Sequence, residues 1–259
     1  MISNTEIREH ARSDGVPEST IERDYAQNWL LNALNSIDNK MILKGGTGIR
    51  KAYVTGYRFS DDLDFSLLRK VDKKSLNDLI LKSIRNAKDS CGINFDDDIK
   101  LNENINGYEG VVYFRIIRRT GSPHKIKLDI TNSENEKIIL KPKQIKLIHN
   151  YSDELKSKIL IYPLNEIIAE KLRAIFERTR PRDIYDIVYV WDKVDPLSIP
   201  KLFMEKCEYK DVNLDVKYLI NKKDDFKHAW ETSLQHQLKI VPDFDETFTK
   251  ILEILKIII

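Results

Sequence analysis

Residues 41–68 read MILKGGTGIRKAYVTGYRFSDDLDFSLL, and this stretch decides the fold that the sequence predicts. A short apolar run at 41–43 leads into a glycine turn at 44–47, and residues 49–53 are typical of a short helix. A second strand is predicted at 63–67. Glycines let a backbone approach a phosphate closely, and the start of a helix presents free N–H groups. The stretch therefore predicts a strand, a phosphate-binding turn, a short helix and another strand.

The second strand carries two acids, Asp62 and Asp64, with one residue between them. Side chains alternate along a strand, so both carboxylates share a face and lie about 6–7 Å apart. Like charges at such a separation repel each other, and a divalent cation would offset the repulsion. Where the remaining ligands are phosphate oxygens, the expected cation is Mg²⁺ or Mn²⁺.

A third acid, Asp129, lies in residues 125–131, where apolar and polar residues alternate. This alternation predicts a strand with Asp129 on its polar face. If this strand lies next to the strand that carries Asp62 and Asp64, the three carboxylates could together hold two metal ions. Two such ions activate an attacking hydroxyl and stabilise a leaving pyrophosphate.

The rest of the chain separates strand patterns from helical ones. Residues 110–119 and 125–131 flank a turn at 120–124, which predicts a hairpin, and a further strand pattern lies at 137–148. Beyond about residue 155 only helical patterns remain. The sequence therefore predicts an α+β protein with a mixed sheet and flanking helices in residues 1–155, followed by a helical bundle in residues 156–259.

Composition narrows the class of protein. The 259 residues are 41% hydrophobic and 32% charged, which excludes an intrinsically disordered chain. The only two cysteines, Cys91 and Cys207, form neither a disulfide framework nor a zinc-ligand pattern, so a reducing compartment is expected. The polar N-terminus has no signal core, and no run approaches the roughly 18 apolar residues of a membrane helix. We therefore expect a soluble, cytoplasmic protein that does not enter a membrane.

The net charge of +2 is small, but it is unevenly distributed. Residues 115–147 contain nine Lys and Arg against three acids. A basic segment of this kind suits a polyanionic substrate, and it equally suits a solvated surface of uneven charge. Aromatic residues interleave with basic ones in 108–119, where the alternation of Val112, Phe114 and Ile116 favours a core strand over a base-stacking surface.

Five segments of the sequence resemble one known family, the AbiEii/AbiGii toxins of the nucleotidyltransferase superfamily. The segments are KGGT at 44–47, RFSDDLDF at 58–65, AEKLRA at 169–174, RDIYD at 182–186 and IERDY at 21–25. The resemblance implies a nucleotidyltransferase-like mixed sheet. It also implies transfer of a nucleoside monophosphate from an NTP to an acceptor hydroxyl, with RNA, tRNA in particular, as the expected acceptor. Members of the family are often paired with an antitoxin protein.

The candidate site residues come from these segments and from the predicted strand that carries Asp129. We expect Asp62, Asp64 and Asp129 to hold the metal, and Lys44, Gly45, Gly46, Thr47, Arg58, Ser60, Lys171 and Asp183 to bind the nucleotide. Asp186 is expected to orient Lys171 or the nucleotide. The expected catalytic residues are Asp62, Asp64, Asp129, Lys171 and Asp186. Gly46 stands where the wider superfamily commonly has serine, so a hydroxyl contact to phosphate would fall to Thr47 or Ser60.

Three of these assignments have structural alternatives. Lys171 borders the apolar stripe of its helix and could extend its ammonium past it into solvent instead of binding phosphate. Asp183 could be an acid at the start of a helix, stabilised by the helix dipole. Arg58 could pair with Asp61 rather than with phosphate.

Two other functions compete with the enzyme. One is a nucleotide-binding regulatory module without turnover, which a large separation between Asp129 and Asp62 would favour. The other is a plain nucleic-acid-binding protein, whose binding would depend on salt but not on Mg²⁺ or nucleotide.

Overall fold

The structure, a computed structural model, describes residues 1–37, 40–118 and 120–259. It divides into two compact units. The first comprises Met1–Glu136 and Pro142–Tyr162, and the second comprises Lys137–Lys141 and Pro163–Ile259. Within the described residues, none of the helices combines the length and apolar character that crossing a bilayer requires.

The first unit is built on an eight-stranded mixed sheet. Its strands are β1 (Met41–Lys44), β2 (Asp62–Leu67), β3 (Asn94–Phe95), β4 (Asn102–Asn104), β5 (Gly107–Arg115), β6 (His124–Thr131), β7 (Lys143–Lys146) and β8 (Lys158–Ile161). Their order is β3-β5-β6-β2-β1-β8-β7, with β4 also paired to β5. The pairs β2–β6 and β1–β8 are parallel and the others are antiparallel. The α+β class and the mixed sheet predicted from sequence are therefore confirmed.

Four helices and one π-helical turn accompany this sheet. They are α1 (Asn4–Asp14), α2 (Glu18–Ile37), α3 (Gly45–Gly48), the π-helical turn Ile49–Tyr53 and α4 (Lys73–Cys91). Ser3 caps α1 by accepting a hydrogen bond from the N–H of Glu6, and Gly92 ends α4 in the left-handed conformation. Helix α2 contacts α4, β6 and β8. Local capping and glycine signals thus account for where these helices begin and end.

Apolar and polar residues alternate along β6, so that one face of the strand is buried in the core and the other is exposed. Ile126, Leu128 and Ile130 are buried, whereas the residues between them are exposed. Strand β6 is in register with β2, whose Leu63 and Phe65 are also buried. The polar residues of both strands consequently share the opposite face of the sheet.

A buried ion cluster ties α2 to the π-helical turn. Asp24 Oδ1 lies 2.6 Å from Arg50 Nε and 2.7 Å from Lys51 Nζ, and Asp24 Oδ2 accepts a hydrogen bond of 2.8 Å from the Tyr151 hydroxyl. Burial by itself would raise the pKa of Asp24, but the charges of Arg50 and Lys51 outweigh it and hold that pKa well below its usual value. The cluster therefore fixes the residues that follow the glycine turn.

The second unit contains six helices in its described residues. They are α5 (Leu164–Glu177), α6 (Pro181–Val190), α7 (Ile199–Lys210), α8 (Val216–Asn221), α9 (Lys223–Leu234) and α10 (Phe244–Ile258), with a 3₁₀ turn at Trp191–Lys193. Helices α5, α6 and α7 pack against one another through α5. The C-terminal helices predicted from the sequence are confirmed, but they begin at Leu164 rather than after about residue 155.

The strand predicted at 137–148 is shorter in the structure, because residues 137–141 belong to the second unit. The carboxylate of Glu166 accepts hydrogen bonds of 2.8 Å from the N–H groups of both Ile139 and Leu140. Glu166 is in turn 2.9 Å from the buried ammonium of Lys206. These contacts use backbone donors that a β-ladder would need, so only Lys143–Lys146 pairs as a strand.

Two further boundaries differ from the prediction. The sheet extends beyond residue 155, since β8 at Lys158–Ile161 pairs with both β1 and β7. The strand predicted at 110–119 is β5, which runs from Gly107 to Arg115. Arg119, its predicted end, lies outside the described residues.

We expect Asp24→Ala to lower the free energy of unfolding by about 3–5 kcal/mol, because it leaves buried Lys51 and partly buried Arg50 without their carboxylate. The folded-state pKa of Asp24 is depressed, so its contribution is present above the ordinary aspartate pKa of 3.8 and is lost as the pH falls toward the folded-state value. Urea unfolding at pH 7 and at pH 3 measures both effects.

The matched control is Asp78→Ala, which removes an exposed aspartate of α4. Its effect should stay within about 0.5 kcal/mol at both pH values. Equal effects of the two substitutions at pH 7 would contradict the role assigned to Asp24.

Candidate active site

The glycine turn lies directly against the carboxylate of β2. Strand β1 ends at Lys44, and Gly45 begins α3 with a φ of +69°. A Cβ atom at Gly45 would overlap Oδ2 of Asp64. Position 45 therefore requires glycine for two reasons. Its backbone is in the left-handed region, and the carboxylate of Asp64 occupies the space that a side chain would need.

The next residue, Gly46, lies against a cation. A Cβ atom there would overlap Nη2 of Arg58. Arg58 is buried and donates a hydrogen bond of 3.0 Å from Nη1 to the Phe59 carbonyl, while Asp61 forms an ion pair with Arg23. The turn consequently lies between an anionic group and a cationic one.

The two hydroxyl residues of the predicted site make contacts within the protein. Buried Thr47 donates its hydroxyl hydrogen to the carbonyl oxygen of Asp62, which joins α3 to the start of β2. Ser60 is also buried, and its carbonyl accepts a hydrogen bond of 3.0 Å from Gln27 of α2. A hydroxyl has only one hydrogen to donate, so Thr47 uses its hydrogen to lock the turn rather than to offer it to a ligand.

The register of four strands brings one row of charged residues together. Lys44 of β1 pairs with Asp64 of β2, Asp64 with Asp129 of β6, and Asp129 with Glu109 of β5. We call Asp64, Asp129 and Glu109 the acidic row. Neighbouring strands are about 4.8 Å apart, so adjacent members of the row lie side by side. Asp62 shares their face, two residues before Asp64.

The acidic row can be tested for its fit to a metal ion. Among residues 1–37, 40–118 and 120–259, no group of three His, Cys, Asp or Glu side chains is arranged to hold a metal by itself. Magnesium is commonly held by only one or two carboxylates together with substrate phosphates. Asp64 and Asp129, in register and with Asp62 alongside, suit that mode, and none of the three is fully buried. The residues therefore fit a divalent ion that also binds the polyphosphate.

Sequence reasoning missed two charged neighbours of the predicted carboxylates. Glu109 lies opposite Asp129, and Lys127 lies opposite Asp62. Both are exposed residues of alternating strands, so their shared face was visible in the sequence. Their partners depend on the register, which the local pattern does not reveal.

The predicted residues of the second unit form a cluster of their own. Lys171 Nζ of α5 lies 2.9 Å from Asp183 Oδ1 and 2.6 Å from Asp186 Oδ2, both on α6. Arg178 Nε lies 3.1 Å from the other oxygen of Asp183. Lys171, Asp183 and Asp186 are all buried. Asp186 is thus in direct contact with the lysine that it was predicted to orient.

Electrostatics in this cluster keep the carboxylate of Asp183 charged. Burial acts to raise the pKa of Asp183, but the charges of Lys171 and Arg178 outweigh that effect and hold the pKa well below its usual value. The acid therefore does more than begin α6. It fixes the position of the Lys171 ammonium from one side, while Asp186 does so from the other.

Comparison with solved structures places the fold among nucleotidyltransferases. The structure is similar to MenT4, a nucleotidyltransferase toxin from Mycobacterium tuberculosis H37Rv, with a TM-score of 0.68 and 17% identity over 100% of this chain and 90% of that one. It is also similar to a protein from H. pylori assigned as a nucleotidyltransferase, with a TM-score of 0.60 and 18% identity over 94% and 96% of the two chains. At these identities the likeness concerns the fold alone. No curated protein matches the sequence.

The family follows from the sequence. Residues 29–253 match the sequence model of the family described as nucleotidyl transferase AbiEii toxin, type IV toxin–antitoxin system. The match covers most of the chain and includes the glycine turn, the acids of β2 and β6 and the Lys171 cluster. The chain therefore belongs to the AbiEii family and is a nucleotidyltransferase toxin of the type IV toxin–antitoxin class.

Proposed function

We propose that this enzyme transfers a nucleoside monophosphate from an NTP to a hydroxyl group of RNA, with tRNA as the expected acceptor, in a reaction that requires Mg²⁺ or Mn²⁺. One observation carries the proposal. The backbone of Gly45 lies against the carboxylate of Asp64, and Asp129 is in register beside Asp64. A turn suited to polyphosphate and carboxylates suited to a cation therefore meet at contact distance.

The two glycines have complementary surroundings. Gly45 lies beside the Asp64 carboxylate, and Gly46 lies beside the Arg58 guanidinium. A polyphosphate with its bound cation presents both signs of charge. A guanidinium donates to phosphate oxygens, and a carboxylate binds the cation. This arrangement supports phosphate binding by Arg58 in addition to its hydrogen bond to Phe59.

The carboxylates supply the oxygen ligands of the proposed metal site. Asp62, Asp64 and Asp129 would hold the divalent ions, which when bound activate the attacking hydroxyl and stabilise the leaving pyrophosphate. Like charges on neighbouring strand positions repel one another, and a divalent cation bound among them would offset that repulsion.

We assign the remaining nucleotide contacts to Lys44, to the turn that Thr47 locks against β2, and to the segment that contains Ser60. Lys171 is proposed to offset the charge of the triphosphate, with Asp186 orienting it and Asp183 supporting the nucleotide-binding arrangement. The two carboxylates, at 2.9 and 2.6 Å from Nζ, restrict the movement of the Lys171 side chain. A group that binds phosphate in one defined position needs such a restriction.

The alternative function, a nucleotide-binding regulatory module without turnover, is not supported by the position of Asp129. That alternative would gain support if Asp129 lay far from Asp62, but the parallel register puts Asp129 next to Asp64 on the same face. Membership of a type IV toxin–antitoxin family indicates an antitoxin as the partner of this chain. We propose the cytoplasm, where NTPs and RNA are both present, as the site of the reaction.

We expect Asp62→Asn and Asp129→Asn each to reduce incorporation of labelled NTP into RNA by about 100-fold or more, because each removes an oxygen ligand worth several kcal/mol in the transition state. Total tRNA with each labelled NTP in turn is the assay. Removal of divalent ions with a chelator should stop labelling, and added Mg²⁺ or Mn²⁺ should restore it.

Asp78→Asn, an exposed aspartate of α4, is the matched control and should label RNA like the wild type. Unfolding measurements separate loss of function from loss of fold. Asp62→Asn and Asp129→Asn are therefore assayed under conditions in which both remain folded. Labelling at the wild-type rate by either variant would overturn the proposal.

A second prediction uses two glycines with nearly the same backbone. Gly45 has a φ of +69° and its side-chain space is filled by Asp64, whereas Gly92 has a φ of +73° and nothing lies within 4 Å. Both Gly45→Ala and Gly92→Ala should lose about 1–2 kcal/mol of stability, from the left-handed backbone. Only Gly45→Ala should also lose labelling activity, by at least about tenfold, because the methyl group displaces the Asp64 carboxylate.

The comparison is made at a temperature where both variants remain folded. If Gly92→Ala loses as much activity as Gly45→Ala, then strain rather than the position of Asp64 explains the loss. In that case the contact between turn and carboxylate does not carry the function.

A further inference from the structure

One side of the hairpin β5–β6 combines an exposed aromatic ring with exposed lysines. Tyr113 is 40% exposed and lies directly opposite Lys125, which is also exposed. Lys127, two residues further along β6, is exposed too. We call Tyr113, Lys125 and Lys127 the Tyr113 patch.

The sequence had favoured a core strand here. That is confirmed for Val112 and Phe114, which are fully buried. Tyr113 lies between them and therefore points to the other face of the sheet. The segment forms a core strand on one face and presents an aromatic ring on the other.

The Tyr113 patch and the acidic row occupy the same face of the sheet. Lys125, Lys127 and Asp129 alternate along β6 with buried apolar residues, so all three point the same way. Lys127 lies opposite Asp62 in the parallel pair of β6 and β2. The patch is thus continuous with the proposed metal ligands, and Lys127 is its residue nearest to them.

The chemistry of the patch suits a single strand of nucleic acid. Aromatic rings stack on unpaired bases, and lysines beside them bind the phosphates that connect those bases. A duplex would offer phosphates to Lys125 and Lys127, but its bases are stacked on each other and unavailable to Tyr113. The combination of ring and cations therefore favours an unpaired segment.

Tyr113 is displaced along the strands from the proposed metal ligands. It lies opposite Lys125, two residues before Lys127, the partner of Asp62, and four residues before Asp129, which is about 7 and 13 Å along the strand. Stacked nucleotides rise about 3.4 Å each, so these lengths correspond to roughly two to four nucleotides. The patch therefore suits nucleotides that neighbour the reacting one.

We propose that the Tyr113 patch binds the single-stranded end of the acceptor RNA, a few nucleotides away from the reacting hydroxyl. Tyr113 stacks on a base, and Lys125 and Lys127 bind phosphates that lead toward Asp62 and Asp129. The inference rests on the proposed function, because it takes RNA as the acceptor at that site.

The test measures RNA binding without NTP, apart from catalysis. The probe is a fluorescein-labelled RNA oligonucleotide of eight mixed-sequence nucleotides. The comparison RNA is a blunt hairpin whose strands are joined by a non-nucleotide linker, so that it has no unpaired base. Tyr113→Ala should weaken binding of the single strand by about 5- to 100-fold and leave hairpin binding unchanged. Tyr113→Phe, which keeps the ring, should bind like the wild type.

Lys125→Ala should reduce the slope of log affinity against log salt by about 0.7, the value expected for one phosphate contact on a single strand. The matched controls are Tyr209→Ala and Lys74→Ala, which change an exposed tyrosine and an exposed lysine on other elements. Both should leave affinity and salt slope unchanged. Wild-type binding by both Tyr113→Ala and Lys125→Ala would overturn the inference, as would an equal loss of hairpin and single-strand binding.

The labelling assay distinguishes this inference from the proposed function. If Asp62→Asn abolishes labelling while Tyr113→Ala changes neither RNA affinity nor the KM for RNA, the patch is wrong and the enzymatic proposal stands. If the wild type labels no RNA, while Tyr113→Ala binds the single strand more weakly than the wild type does, the patch binds RNA and the assignment of RNA as the acceptor is wrong.

Discussion

The buried carboxylate of Asp24 is the interaction on which the proposed site most depends. It holds Arg50 and Lys51 at 2.6 and 2.7 Å, and those residues belong to the π-helical turn that continues directly from the glycine turn. Buried Lys51 and partly buried Arg50 both need this anion, so a shift of α2 would cost stability. Since these two residues come soon after the glycine turn, the same interaction limits the movement of the turn.

Steric fit and charge act together at the glycine turn. Absence of a side chain at Gly45 and Gly46 lets a carboxylate and a guanidinium approach the same short piece of backbone. The hydrogen bond from Thr47 to the Asp62 carbonyl then closes the turn onto β2. A rigid arrangement of this kind suits catalysis by positioning, in which groups are held before the substrate arrives.

The second unit uses buried lysines in two related ways. Lys206 is surrounded by Glu166 and Glu170 and, through Glu166, anchors residues 137–141 to α5. Lys171 is held by two aspartates of α6. A buried charge with two opposite charges in contact is strongly localised, because any displacement leaves an ion unpaired in a medium of low dielectric. The Lys171 cluster draws on two segments that resemble the family, residues 169–174 and 182–186, whereas the Lys206 cluster shares only Glu170 with them.

Sequence alone determined the strand–turn–helix–strand order, the shared face of Asp62 and Asp64, and the polar face that carries Asp129. Each follows from local rules, since alternation and glycine conformation act over a few residues. It did not determine that Asp129 pairs with Asp64, that Glu109 and Lys127 are neighbours of these acids, or that Tyr113 lies on the same face. Those relations depend on strand register, and only tertiary structure decides it, because pairing joins segments far apart in the chain and one residue of slip would reverse every face.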